Sequence, residues 1–299
     1  MRPQAWRGNM GEWTGMVTAH GVTPADVLGT WSWDPAVLGG VALAAVLYAV
    51  GVRRSAGGRL DLFPWWRPAL FYTGLLVVLV ALVSPLDALA GELFAAHMVQ
   101  HILLSTIAPP LLLLGAPFLP LLRGLPRALR RDVMIPLARN AAVRRVLAAV
   151  SQPVPAWLLY TGFFWAWHVP ALYDAAVRHE AVHILEHTVF FVTGLLFWWN
   201  VVDPIPLRAH LRHLVRILYL FVLVVPDSAM SAYLVLSTAP WYSSYLSTTQ
   251  TWGMSPLDDQ RLGALIMWVP GGLLYLLAIS CVFFSMPEAR EEQAQEQNA

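Results

Sequence analysis

Seven stretches of mostly apolar residues run through the chain, at 35–52, 67–85, 93–119, 150–169, 182–201, 214–237 and 263–285. Each is close to the roughly 20 residues a helix needs to cross about 30 Å of bilayer hydrocarbon. Backbone in hydrocarbon must satisfy its own hydrogen bonds, so runs of this kind become helices. The expected fold is therefore all-α, a polytopic membrane bundle of seven transmembrane helices. Composition agrees, since 58% of the 299 residues are apolar and only 12% are charged, which does not suit a water-soluble domain. The expected division is an extracytoplasmic segment at 1–34, the bundle at 35–285 and a tail at 286–299. No basic segment leads into an apolar core within the first 34 residues, so the first span is expected to act as its own signal.

Arginine placement orients this bundle, because retained basic residues mark cytoplasmic loops. Arg53, Arg54, Arg59 and Arg67 flank the first connection. Arg123, Arg127, Arg130, Arg131, Arg139, Arg144 and Arg145 crowd the third, and Arg208, Arg212 and Arg216 the fifth. The intervening loops carry only Arg178 and Arg261. With seven spans this puts the N-terminus outside and the tail, with Glu288, Glu291 and Glu292, in the cytoplasm. Arg2 and Arg7 oppose the bias, and a start at Met10 or Met16 would remove both. In the long third connection Leu125, Leu129 and Val133 recur at helical spacing among arginines, which predicts a short helix on the membrane surface. Pro109-Pro110 is expected to kink the third span near mid-membrane.

A net charge of +1 without a basic patch gives no ground for nucleic-acid binding. The single Cys281 excludes an internal disulfide and any paired-cysteine metal site. Attention passes to the nine histidines. His97 and His101 lie four apart at the start of span three, and His183 and His187 repeat that spacing at the start of span five. Residues four apart share a helix face, so each pair aims two imidazoles at one neighbour. His168 closes the outer end of span four, so five imidazoles from three helices share one depth. Span six adds Asp227, beside Pro226, and Met230. An intramembrane acid rarely stands unpaired, and Asp227 is expected to touch the histidines, as a ligand or as the acceptor that orients one. His179 and His20 are expected to be exposed, and His210 and His213 to sit among cytoplasmic arginines.

The candidate metal ligands are thus His97, His101, His168, His183, His187, Asp227 and Met230. Imidazole suits copper, zinc and iron, whereas thioether selects Cu(I), so the set leans toward copper and leaves zinc open. Two other readings use the same residues. A b-type haem protein would pair His97 or His101 axially with His183 or His187. A copper transporter would need polar residues continuing inward, and these largely stop at mid-depth.

The stretch His97-Met98-Val99-Gln100-His101, with Ala108-Pro109-Pro110-Leu111 and Leu114-Gly115-Ala116-Pro117 after it, resembles the CtaG-like cytochrome c oxidase assembly factors. Trp167-His168-Val169-Pro170 with Tyr173, the pair His183 and His187, and Asp227 carry the same resemblance, which spans most of the chain. It implies a seven-span protein of the bacterial plasma membrane that is needed to make an active haem–copper oxidase. The implied partners are oxidase subunits, the lipid bilayer and an extracytoplasmic copper donor, and the implied role is copper handling, not catalysis.

Overall fold

The computed structural model describes residues 23–55, 64–202, 204 and 211–285. Met10, Met16, His20, Arg59, Arg208, His210 and the tail at 286–299 lie outside the described residues. All regular structure within them is helical. In chain order the helices are α1 (Pro35–Ser55), α2 (Trp66–Val83), α3 (Pro85–Ala90), α4 (Phe94–Leu114), α5 (Phe118–Gly124), α6 (Ala141–Val150), α7 (Pro153–Trp167), α8 (Pro170–Arg178), α9 (Glu180–Trp199), α10 (His213–Val235) and α11 (Pro256–Phe284). Short helical turns fill 127–139 between α5 and α6; Leu129 and Val133 are exposed on them, and Leu125 caps the end of α5 instead.

Six of these helices, α1, α2, α4, α9, α10 and α11, are long and apolar enough to cross a membrane. The expected fourth span is shorter than its hydropathy suggests. Helix α7 has 15 residues, about 22 Å at 1.5 Å per residue. Prolines set both ends: Gln152 before Pro153 and Val169 before Pro170 are extended, because the proline ring disfavours helical backbone in the preceding residue. One end of α7 is tied to α9, where Asn200 Nδ2 donates to Ser151 O at 3.1 Å. The other is tied to the far side of the bundle, where Tyr242 OH donates to His168 O at 3.2 Å.

Helix α4 is the axis. In its most apolar 18-residue window 61% of residues are buried, against 11–39% for the other five long helices. Pro109 cannot donate to Ser105 O, and the ladder responds with one widened turn over Leu103–Ile107. Trp198 Nε1 of α9 donates to the freed Ser105 carbonyl at 3.1 Å, so that acceptor is not stranded. Helix α11 widens in the same way around Pro270, over Met267–Gly271. The continuous third span expected at 93–119 divides at Gly115-Ala116-Pro117, where Ala116 takes a left-handed φ of 50° and α5 starts afresh.

Glycines set how closely α9 and α11 approach α4. A Cβ on Gly194 would stand 2.8 Å from Ser105 O, so only glycine lets α9 lie this near. A Cβ on Gly263 would stand 2.3 Å from Phe94 Cδ1, which does the same for α11. Asp259 of α11 then caps α4, accepting Phe94 N at 2.7 Å and Ala95 N at 3.0 Å. A carboxylate on the free N–H groups of a first turn satisfies them and complements the helix dipole. Gln100 locks the other flank by donating to Ala81 O at 2.8 Å and Asp87 Oδ1 at 2.9 Å. The face that carries His97 and His101 is therefore held from both sides.

Candidate metal centre

Each histidine pair meets as the four-residue spacing requires, with ring centroids 4.3 Å apart and edge to face for His97 and His101, and 4.0 Å apart and tilted for His183 and His187. The two pairs also meet. His97 lies 5.3 Å from His183 and 5.8 Å from His187, and His101 lies 5.6 Å from His187, centroid to centroid. Between them stands Glu186, fully buried, with Oε2 at 3.4 Å from His97 Nε2 and Oε1 at 3.6 Å from His101 Nε2. One ligand atom from each of His97, His101, Glu186 and His187 falls within 4.8 Å of the others. Only a small contraction brings such a set to metal bonds of about 2.0–2.2 Å.

Hydrogen bonding fixes which ring nitrogens are free. Tyr245 OH donates to Ala90 O at 2.9 Å, so its oxygen accepts from His97 Nδ1 at 3.2 Å. With the His97 proton on Nδ1, Nε2 is the acceptor; it takes the N–H of His101 Nε2 at 2.8 Å and lies 3.4 Å from Glu186 Oε2. Neither Glu186 oxygen has a hydrogen-bond donor among the described residues, and neither does His187 Nε2 have a partner. A carboxylate buried among imidazole nitrogens costs several kcal/mol unless a positive charge joins it. The donor set of three nitrogens and one carboxylate thus fits a transition-metal cation, with the His97 N–H held by an oxygen as metal-bound imidazoles require.

The other expected ligands are spread around this group. His183, half-buried, sits at its rim beside His187. His168 is buried on another wall of the bundle, and it lines a cavity with His101 and Asp227. Met230 packs into an aromatic cluster with Phe94, Tyr173, Tyr242 and Tyr245. His179 is exposed at the start of α9, and His213 starts α10.

Over residues 46–288 the chain matches the model of the cytochrome c oxidase caa3 assembly factor family. It belongs to that family. Relatives include uncharacterized proteins of Mycobacterium bovis and Mycobacterium tuberculosis, each 31% identical over 82% of this chain and 38% of their own length. One from Mycobacterium leprae is 28% identical over 83% of this chain and 38% of its own. The chain spans well under half the length of these relatives. No solved structure matches. Family and helices together make this a multi-pass membrane protein.

Two residues of this buried group were not singled out from sequence. Glu186 lies inside the run His183-Ile184-Leu185-Glu186-His187, where three-residue spacing from His183 turns it toward the same face. Tyr245 comes from a turn that no periodicity announces. Asp174 of α8 holds that turn, accepting Ser243 N at 3.2 Å, Ser243 Oγ at 2.6 Å, Ser244 N at 3.0 Å and Ser244 Oγ at 2.9 Å. Burial alone would push the Asp174 carboxyl up, but these bonds outweigh it and hold the group below its usual range. A lowered folded value means the strap's contribution is complete above the unfolded value of about 3.9 and is lost as pH falls through the lower one. Hydrogen exchange at Ser243 and Ser244 should stay slow between pH 5 and 8, apart from the intrinsic pH trend, and Asp174→Ala should make it fast at pH 7. Equal protection in the variant would show that another contact holds the turn.

Proposed function

We propose that this caa3 assembly factor binds copper at the group of His97, His101, Glu186 and His187, with His183 at its mouth, and passes it to a haem–copper oxidase subunit during assembly. The observation that carries this is the buried carboxylate without a donor, enclosed by imidazoles whose ligand atoms lie within 4.8 Å. Seven crossings belong to the same reading: α7 carries the chain between the two sides, and the arginine-rich connections face the cytoplasm. The metal group then sits in the outer half, where copper from an extracytoplasmic donor arrives. The role is that of a carrier, not an enzyme, because ligands shared between two helices can exchange without a reacting substrate.

A haem between the histidine pairs is disfavoured by space. The cavity adjoining them is about 30 Å³, far below the roughly 300–1,000 Å³ of pockets that hold large organic ligands. Metal analysis of protein purified in detergent decides between the readings. Copper supplied as Cu(I) should bind with no Soret absorption. Stoichiometric iron with an intense Soret band would replace the carrier reading with the haem one.

A further inference from the structure

The cavity lies one step inward from the outer group, enclosed by α4, α7, α9, α10 and α11. Its wall includes His101, His168, Asp227, Met267 and Thr161. His168 Nδ1 stands 2.6 Å from Phe164 O, and a carbonyl only accepts, so the imidazole proton is on Nδ1. His168 Nε2 is then a bare lone pair, and it is buried without a partner. A ring N–H held by a backbone carbonyl with the other nitrogen free is the usual arrangement of a metal-bound histidine. Asp227 makes no hydrogen bond or ion pair with a described residue. An acid at this depth calls for a positive partner. Met267 adds a thioether, buried to 4% exposure. His101 lines the cavity too, and its Nδ1 is buried without a partner while its Nε2 faces the outer group.

We propose that this cavity is a second metal station, taking a soft transition-metal cation such as Cu(I) on His168, Asp227 and Met267, with His101 as the wall it shares with the outer group. The station rests on the outer group being a metal site, since the outer group would fill it. The thioether selects Cu(I) and the imidazole accepts it, while the carboxylate supplies the negative charge that a buried cation needs. The volume of about 30 Å³ exceeds the roughly 10–15 Å³ that one water occupies on the same measure, which leaves room for an ion and a water ligand. A neutral imidazole has one lone pair, so His101 serves one ion at a time, and the inner ion binds more weakly while the outer group is loaded. The metal goes no further inward. Tyr160 OH and Tyr275 OH close the floor at 3.1 Å from each other, and the apolar cluster of Leu113, Phe197, Leu220 and Val282 packs beyond. The station therefore holds copper in reserve within the outer half and is not a step in permeation.

The test is a Cu(I) titration of the detergent-purified full chain against a chromophoric chelator, with helix content followed by circular dichroism. Wild type should take up two equivalents, the second at least tenfold weaker. Asp227→Asn, His168→Asn and the volume-conserving Met267→Leu should each weaken or abolish the second equivalent and leave the first. His187→Asn should weaken the outer equivalent and leave the inner one bound at least as tightly, because His101 is then free for it. One equivalent in the wild type, lost in His187→Asn, would overturn the station while the outer site stands, and the cavity would then hold water. Two equivalents unchanged in all three inner variants would overturn it as well. No equivalent at all would sink the outer reading, and the station with it.

Discussion

Replacing Glu186 by Gln should raise the thermal stability of the metal-free protein and lower its copper affinity by about 100-fold. The two effects have opposite sign for one reason. Glu186 is fully buried, its oxygens lack hydrogen-bond donors among the described residues, and imidazoles stand beside it. In the absence of metal the carboxylate bears a desolvation cost of several kcal/mol, which an amide of the same shape escapes. With copper present the carboxylate is the one anionic ligand of the outer group. Its loss should reach the upper end of the 10- to 100-fold typical of residues that orient a ligand. Bound metal stabilises a fold by RT ln(1 + [L]/Kd), about 2.7 kcal/mol at 100 times Kd, so most of the copper-induced rise in melting temperature should vanish in the variant. The competing view makes Glu186 the partner of a protonated His97 or His101, at 3.4 and 3.6 Å, with no metal role. That view predicts the reverse sign for the metal-free protein, because removing one member of a buried ion pair destabilises it by roughly 3–5 kcal/mol. Melting curves of the two proteins with and without Cu(I) separate the cases.

The histidine pairs were legible because helix geometry is local. Spacing of four residues gives a shared face, and the matching depth of His97, His101, His183 and His187 needed only the span boundaries. Residues whose role depends on how helices are rotated and closed on one another were harder to see. Asp227 and Met230 are three apart on α10, a rise of about 4.5 Å, yet the first lines the cavity and the second joins the aromatic cluster. Met267 takes the thioether position at the cavity, from α11, whose start at Pro256 lies seven residues before the apolar run at 263. Hydropathy could not supply that start, since Ser255 caps it and Asp258, Asp259 and Arg261 fill its first turns. Hydropathy also overestimated α7, where prolines rather than polarity end the helix. Tyr245 reaches His97 across 148 residues of sequence through the Asp174 strap, a long-range closure with no local pattern.

Cells lacking this protein should make oxidase polypeptides and haem, yet yield cytochrome c oxidase with low activity and a copper deficit. Family membership over residues 46–288 and the geometry of the outer group together lead to this outcome. Copper for oxidase centres is expected from outside the cytoplasm, and the histidine group lies at the end of the bundle away from the arginine-rich connections. A carrier alters the product of assembly and leaves the turnover of oxidase already built untouched. Copper per oxidase should therefore fall together with activity, while haem per oxidase holds, and added copper should restore part of both. The Glu186→Gln and His187→Asn proteins, expressed in the same cells, should rescue poorly, whereas His213→Asn, at the opposite end of α10, should rescue fully. The second station sharpens this expectation. If the inner ion is a reserve, Asp227→Asn should assemble oxidase normally in ample copper and fail first when copper is limiting. Oxidase isolated from the deletion strain with full copper content and normal turnover would remove the carrier role and leave the buried His and Glu residues to be explained by another activity.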